Sequence, residues 1–177
     1  MRGEGTENAS RHVLVARTGE STATPGTGDA SSVLGVTHET DAETWLGRWN
    51  GDVERAAVVS VGERSRSTAS TSTSGSPITA VTGIVETVPD ESDVGAVGRL
   101  VHEHLSAWAE GEETTVFLDD LEAVVDNTST ETAFRFVHAV LSCADETGAR
   151  VVARFDPEAY PPHVVETFAE LFDDVRR

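Results

Sequence analysis

The chain is 177 residues long, enough for one domain that buries a sizeable core. It carries 31 acidic residues against 13 basic ones, a formal charge of −18, which argues against nucleic acid and anionic membrane surfaces as partners. A single cysteine, Cys143, excludes an internal disulfide framework and a cysteine-based zinc cluster, and no apolar run approaches the ~20 residues of a membrane span.

All the basic residues are arginine; the chain has no lysine. Together with abundant Asp, Glu, Thr, Val and Ala and few aromatics, this reads as adaptation to a salt-rich interior. Molar salt shortens the Debye length to ~3 Å and so tolerates the self-repulsion of a strongly acidic fold. An acidic protein of an ordinary cytoplasm would leave the missing lysines unexplained. The N-terminus lacks a secretory apolar region, so the expected location is cytoplasmic.

Residues 1–11 are polar and read as a disordered tail, with one domain over 12–177. His12–Ala16 is a short apolar, β-branched run, hence a buried strand. Residues 17–32 are rich in Gly, Ser, Thr and Pro and show no apolar period. Ser32–Thr37 reads as the second strand, and Asp41 caps a short helix carrying Trp45, Leu46 and Trp49, closed by Asn50-Gly51. The i, i+4 tryptophans form one ridge, most simply a core contact, with a partner-anchoring role as the alternative.

Residues 56–61 form a third strand. Residues 64–77 are a low-complexity Ser/Thr segment, expected to be a mobile loop. Residues 78–81 read as a short strand, and 84–88 extend the sheet edge. Ser92 and Asp93 then cap an amphipathic helix with Val94, Val97, Val101, Leu105 and Trp108 on its apolar face. Thr114–Leu118 is a strand that ends abruptly in Asp119-Asp120. Ser129 starts a helix with Phe134, Val137, Leu141 and Ala144 on one face, closed by Gly148. Residues 149–155 are the last strand, and a final helix over 162–172 buries Val164 or Val165, Phe168 and Leu171. Strands alternating with helices imply βαβ crossovers. The expected fold is a three-layer α/β domain, with a mainly parallel sheet of about five strands covered on both faces.

In such a sheet, ligands bind beyond the carboxyl ends of the strands. Those ends are Arg17/Thr18, His38/Glu39, Gly62/Glu63, Asp119/Asp120 and Asp156. Convergence of their carboxylates would give an acidic crevice suited to a hard divalent cation; the alternative is that loops of so acidic a chain collect carboxylates by chance. Val116-Phe-Leu-Asp-Asp120 has the Walker B arrangement, a buried strand delivering an aspartate to Mg²⁺. Asp119 and Asp120 are therefore the candidate metal residues.

A Walker B aspartate needs a P-loop, G-x-x-x-x-G-K-[ST]. The nearest segment is Ala23-Thr-Pro-Gly-Thr-Gly-Asp-Ala30, with Gly26 and Gly28 as candidate backbone contacts to phosphate. Ala23 stands where the first glycine belongs, Asp29 replaces the lysine, and Ala30 replaces the hydroxyl residue. An acid at the lysine position repels phosphate. The next strand also begins too soon for the helix whose N-terminus normally assists. This segment reads as a flexible loop.

Taken together, these residues resemble a haloarchaeal family of unknown function related to the RecA/KaiC-like ATPases. The resemblance runs from His12 to the C-terminus. It is carried by Val33-Leu-Gly-Val-Thr-His-Glu-Thr with Trp45-Leu-Gly-Arg-Trp49, by Phe117-Leu-Asp-Asp-Leu-Glu-Ala-Val-Val125, by Ala133-Phe-Arg-Phe-Val-His138, and by the ending from Phe155-Asp-Pro157 to Leu171-Phe-Asp173. It implies a RecA-like core whose P-loop is degenerate. In KaiC-like proteins the strand after the P-loop helix ends in two glutamates that activate water; His38-Glu39 keeps only the second. The resemblance implies that Glu39 is the candidate water-orienting residue and that Asp119 matches the Walker B aspartate.

Outside these segments, His102 and His104 lie two apart on a helix, do not share a face, and read as surface residues. His138, beside Val137, reads as a packing or capping histidine. Cys143 has no neighbour in sequence that suggests a dyad and reads as an inert thiol. Phosphorylation of the 64–77 serines and threonines is the less simple reading of a solvated loop.

The leading expectation is a non-catalytic domain acting as an interaction or regulatory module, with a protein partner or self-association and no cofactor. The alternative is an Mg-ATP-binding switch with weak or no hydrolysis, in which Asp119 holds the metal, Glu39 orients water, and Arg17 replaces the lysine beside Thr18. A third reading is a sensor of another small ligand in the same crevice.

Overall fold

A computed structural model describes residues 12–16, 32–49, 53–62, 83–108 and 113–176. Its strands are β1 (His12–Ala16), β2 (Ser32–Thr37), β3 (Arg55–Val61), β4 (Gly83–Val88), β5 (Thr114–Leu118), β6 (Arg150–Phe155) and β7 (Asp174–Arg176). They form one sheet in the order β4-β3-β2-β5-β6-β1-β7, with every pairing parallel. Parallel strands buried on both sides need unbroken apolar runs, and β2 and β5 are buried along their whole length.

The helices are α1 (Ala42–Gly47), α2 (Val94–Ala107), α3 (Leu121–Asn127), α4 (Thr130–Thr147) and α5 (Pro162–Ala169). Their starts follow local capping chemistry. Asp41, Asp93, Asp120 and Ser129 accept the backbone N–H groups of Thr44, Ala96, Ala123 and Thr132, which would otherwise lack partners. Gly148 ends α4 at φ +76°, the left-handed position that favours glycine.

Helices α2 to α5 pack on one face of the sheet around Val36, Val59, Val116, Leu118, Phe155 and Phe168. On the other face α1 lays Trp45 and Trp49 over Val33, Val58, Phe117 and Val152. The tryptophan ridge is thus core, with both rings against Phe117 at centroid distances of 6.2 and 5.2 Å. Gly35 makes this possible, because a Cβ there would lie 2.4 Å from the Trp45 ring.

The three-layer α/β fold is as expected, with seven strands among the described residues rather than about five. β7 was not anticipated, because three residues carry no period. α3 was hidden because Asp120 reads as a strand-end carboxylate, whereas it caps the run Leu121, Val124, Val125. The last helix ends at Ala169 rather than 172; beyond it Leu171 is half-buried and Phe172 is buried.

Two histidines differ from expectation. His104 is largely buried, with Nε2 3.5 Å from Glu86 of β4 and its ring 5.4 Å from Trp108. His138 is exposed, because the residue after Val137 is turned about 100° away from the core. The expected tail 1–11, the strand 78–81 and the loop 64–77 lie outside the described residues. Among the described residues, no helix is long and apolar enough to cross a membrane.

His12 anchors the first strand in the sheet. Its Nδ1 accepts the Val151 N–H at 3.2 Å, which leaves the hydrogen on Nε2 to donate to Asp145 at 2.8 Å. This neutral tautomer ties β1 to β6 and α4.

Candidate functional site

The sheet order reverses between β2 and β5. From β2 the chain proceeds through α1 to β3 on one side, and from β5 through α3 and α4 to β6 on the other. Connections leaving on opposite faces open a crevice at the carboxyl ends of these two strands. His38-Glu39 and Asp119-Asp120 extend from those ends.

Alternation along β5 sends the two aspartates apart. Phe117 faces α1, so Asp119 does too, and its Oδ2 lies 3.6 Å from Arg48 Nη1. Asp120 follows Leu118 to the opposite face and spends Oδ1 on the Ala123 N–H. The pair expected at one metal therefore belongs to two environments.

On the α3 side lies a crevice of about 650 Å³, lined by His38, Glu39, Glu91, Asp120, Glu122, Asp126 and Asp156, with Ala123 and Asn127. Of the strand-end residues named from sequence, the structure gathers His38, Glu39, Asp120 and Asp156 here. Asp119 does not line it. Glu91, Glu122 and Asp126 were missed; the last two sit at i, i+4 on the unanticipated α3, so the helix had to be seen first. Arg17, Thr18, Gly26, Gly28 and Glu63 lie outside the described residues.

Much of the crevice's hydrogen-bonding capacity is already used. Glu122 accepts the Asp156 N–H, and Tyr160 donates its hydroxyl to Asp126 and to the Glu122 carbonyl. The Tyr160 ring stacks on Phe155. Burial, the Asp126 hydrogen bond and the nearby carboxylates hold its hydroxyl above the usual tyrosine range. These contacts brace the turn after β6 against α3. Among the described residues, no three His, Cys, Asp or Glu side chains come together as a metal-holding group.

Among the described residues, His38 is the one basic group lining the crevice. Burial lowers its pKa from the ordinary 6.5, against the opposing charges of Asp120, Glu91 and Glu39, and its Nδ1 is buried without a hydrogen-bond partner. The unfolded chain therefore takes up this proton more readily than the folded one. The His38 contribution to stability is complete above about pH 6.5 and declines as pH falls towards the depressed folded-state value. We expect His38→Gln to remove that part of the pH dependence, measured as denaturation midpoints between about pH 8 and 5. Identical slopes in the two proteins would refute the assignment.

Two other features lie apart from the crevice. Cys143 Sγ is 3.3 Å from His102 Nδ1 across α2 and α4, a contact no local pattern could reveal. Burial and the Glu146 charge raise the thiol's pKa, so the imidazole does not activate it. An apolar groove of about 520 Å³ runs between α5 and the ends of β1, β6 and β7, lined by Leu14, Phe155, Val165 and Val175. It flanks Asp156 but does not reach His38.

Fold and site together define a doubly wound parallel α/β protein with an acidic crevice at its topological switch point. The chain belongs to a family of unknown function, DUF7504, whose model matches residues 2–176. No curated protein matches it significantly.

Proposed function

We propose that this chain is a non-catalytic RecA/KaiC-like domain that acts through protein contacts, as an interaction or regulatory module of a salt-rich cytoplasm. The observation that carries this reading is the Arg48–Asp119 pair. The strand-end carboxylate that would hold Mg²⁺ has a guanidinium 3.6 Å away, and the chain has no lysine for a nucleotide's phosphates. A carboxylate engaged by a cation is a poorer ligand for a second one.

Support for the RecA-like arrangement comes from the sheet order. β6 alone separates β1 from β5, so Ala16 at the end of β1 lies on the edge that bears Asp119, two strand spacings or about 10 Å away. Support for a protein partner or self-association comes from β4, at the end of the sheet order, where Ile84 and Val85 are 47% and 43% exposed. The net charge of −18 favours such a partner over nucleic acid.

A second reading, an Mg-nucleotide switch, is favoured by Glu39 and Asp119 following the ends of neighbouring strands. Phosphate release from Mg-ATP by the folded protein in molar KCl separates the two readings. We expect no turnover above background. Turnover that Asp119→Ala abolishes would overturn the non-catalytic reading.

A further inference from the structure

We propose that copies of this chain associate head to tail, with β4 of one copy extending the sheet beside β7 of the next. The inference rests on the protein-contact reading above and names the partner as a second copy. Among the described residues, the exposed large hydrophobic side chains are Ile84, Val85 and Val175, at 47%, 43% and 39%. All three stand on β4 or β7, the two ends of the sheet order. Edge strands are ordinarily blunted by charge, proline or bulges. The β4 run Gly83-Ile-Val-Glu-Thr-Val88 has one charged residue.

The two edges are complementary in shape. Beside β7, the groove of about 520 Å³ is lined by the buried Leu14 and Phe155 together with Val165, Ala169 and Val175. At the other edge, Ile84 and Val85 stand out into solvent. Six strand spacings, about 29 Å, separate the two, so one copy cannot fill its own groove with its own β4. A contact between unlike patches repeats from copy to copy, as a ring or an open chain. A two-fold contact of β4 with β4 would leave the groove empty.

Strand direction and face also agree. A Cβ at Gly83 would meet Leu46 of α1, so Ile84 points to the opposite face, as Val88 does. Val175 pairs with Leu14 and lines the groove on that same face. Parallel addition of β4 beside β7 keeps both orientations. Tracing the pairings across the sheet puts Val175 level with Glu86. A stagger of two residues, about 7 Å, therefore sets Ile84 of one copy beside Val175 of the next, over the groove.

Charge selects the same surfaces. Two chains of net charge −18 repel, and close approach favours patches of low local charge. On β4 the Glu86 carboxylate lies 3.5 Å from His104 Nε2, and on β7 Arg176 Nε donates to Asp174 at 3.3 Å. Glu166 is the one charged side chain among the described residues lining the groove. Molar salt screens the repulsion that remains, so the contact forms where the chain is at home.

Sedimentation equilibrium of the full chain in ~2 M KCl, where the Debye length is ~3 Å or less, tests this. We expect the parent's mass to rise above the monomer's between ~10 μM and ~1 mM, the range of a small, transient interface. Ile84→Glu and Val175→Glu should each be monomeric throughout. Their equimolar mixture should form a dimer, because each variant keeps the one edge that the other lacks. Ile84→Thr and Val175→Thr keep a β-branched shape at exposed positions, so they should fold as the parent does and weaken assembly about tenfold. Cooperative thermal unfolding checks that every variant is folded. A monomeric parent, masses unchanged in the folded variants, or no complex in the mixture would overturn the proposal. Loss of assembly with Ile84→Glu but not with Val175→Glu would overturn it in favour of a two-fold β4 contact. None of these results bears on ATP turnover, so failure here is separable from failure of the non-catalytic reading.

Discussion

Gly35→Ala is expected to destabilise the fold by about 1–3 kcal/mol, the range for overpacking a filled core. The added Cβ would lie 2.4, 2.5 and 2.8 Å from three atoms of the Trp45 ring. The indole is buried at the centre of the α1 layer and cannot swing away without moving α1. Trp45→Ala is expected to cost about 3–5 kcal/mol through lost burial and the cavity left behind. The double variant should lose less than the sum, because removing the ring removes the clash. Denaturant unfolding of the four proteins in molar KCl measures the coupling. Strict additivity would show that the alanine methyl is accommodated elsewhere.

The second large effect concerns salt. Folding gathers carboxylates that the unfolded chain keeps apart, and one crevice alone holds Glu39, Glu91, Asp120, Glu122, Asp126 and Asp156. At ~0.1 M salt the Debye length is ~10 Å, and exposed charges across the crevice repel one another; in molar salt it is ~3 Å and they do not. We expect the helical circular dichroism present in ~2 M KCl to be lost cooperatively on dialysis to ~0.1 M and recovered on return. An unchanged spectrum and thermal midpoint at low salt would show that packing outweighs repulsion, and would remove the case for a salt-rich interior.

How far the sequence can be read depends on the range of the interactions. The caps at Asp41, Asp93 and Ser129 and the stop at Gly148 act within one helical turn, and each stands where the sequence indicates. Buried strands such as Ser32–Thr37 and Thr114–Leu118 are legible because a parallel strand must be apolar on both faces. α3 shows the limit of this kind of reading. Asp120 has two roles open to it, and a strand-end carboxylate and a helix cap look alike until the following turn is given equal weight.

The candidate site was half legible. The positions of His38, Glu39, Asp120 and Asp156 follow from strands ending where they do, and parallel pairing brings those ends to one edge. The separation of Asp119 from Asp120 also lay within reach, since adjacent residues of a strand face opposite ways. The pairing of Arg48 with Asp119, the contact of His102 with Cys143 and the clamp of Tyr160 on Asp126 lay beyond it. These partners are far apart along the chain, and their proximity depends on which strands are neighbours.

The sequence by itself determined the class of fold, the helix boundaries set by caps, and the acidic, lysine-free surface, because period, capping and charge are local or additive properties. Only the tertiary structure decided that β1 lies between β6 and β7, that Glu39, Asp120 and Asp156 share one crevice, and that Asp119 instead faces Arg48. The physical reason is that strand order is fixed by the packing of whole faces against one another, a collective choice to which no single segment of the chain holds the answer.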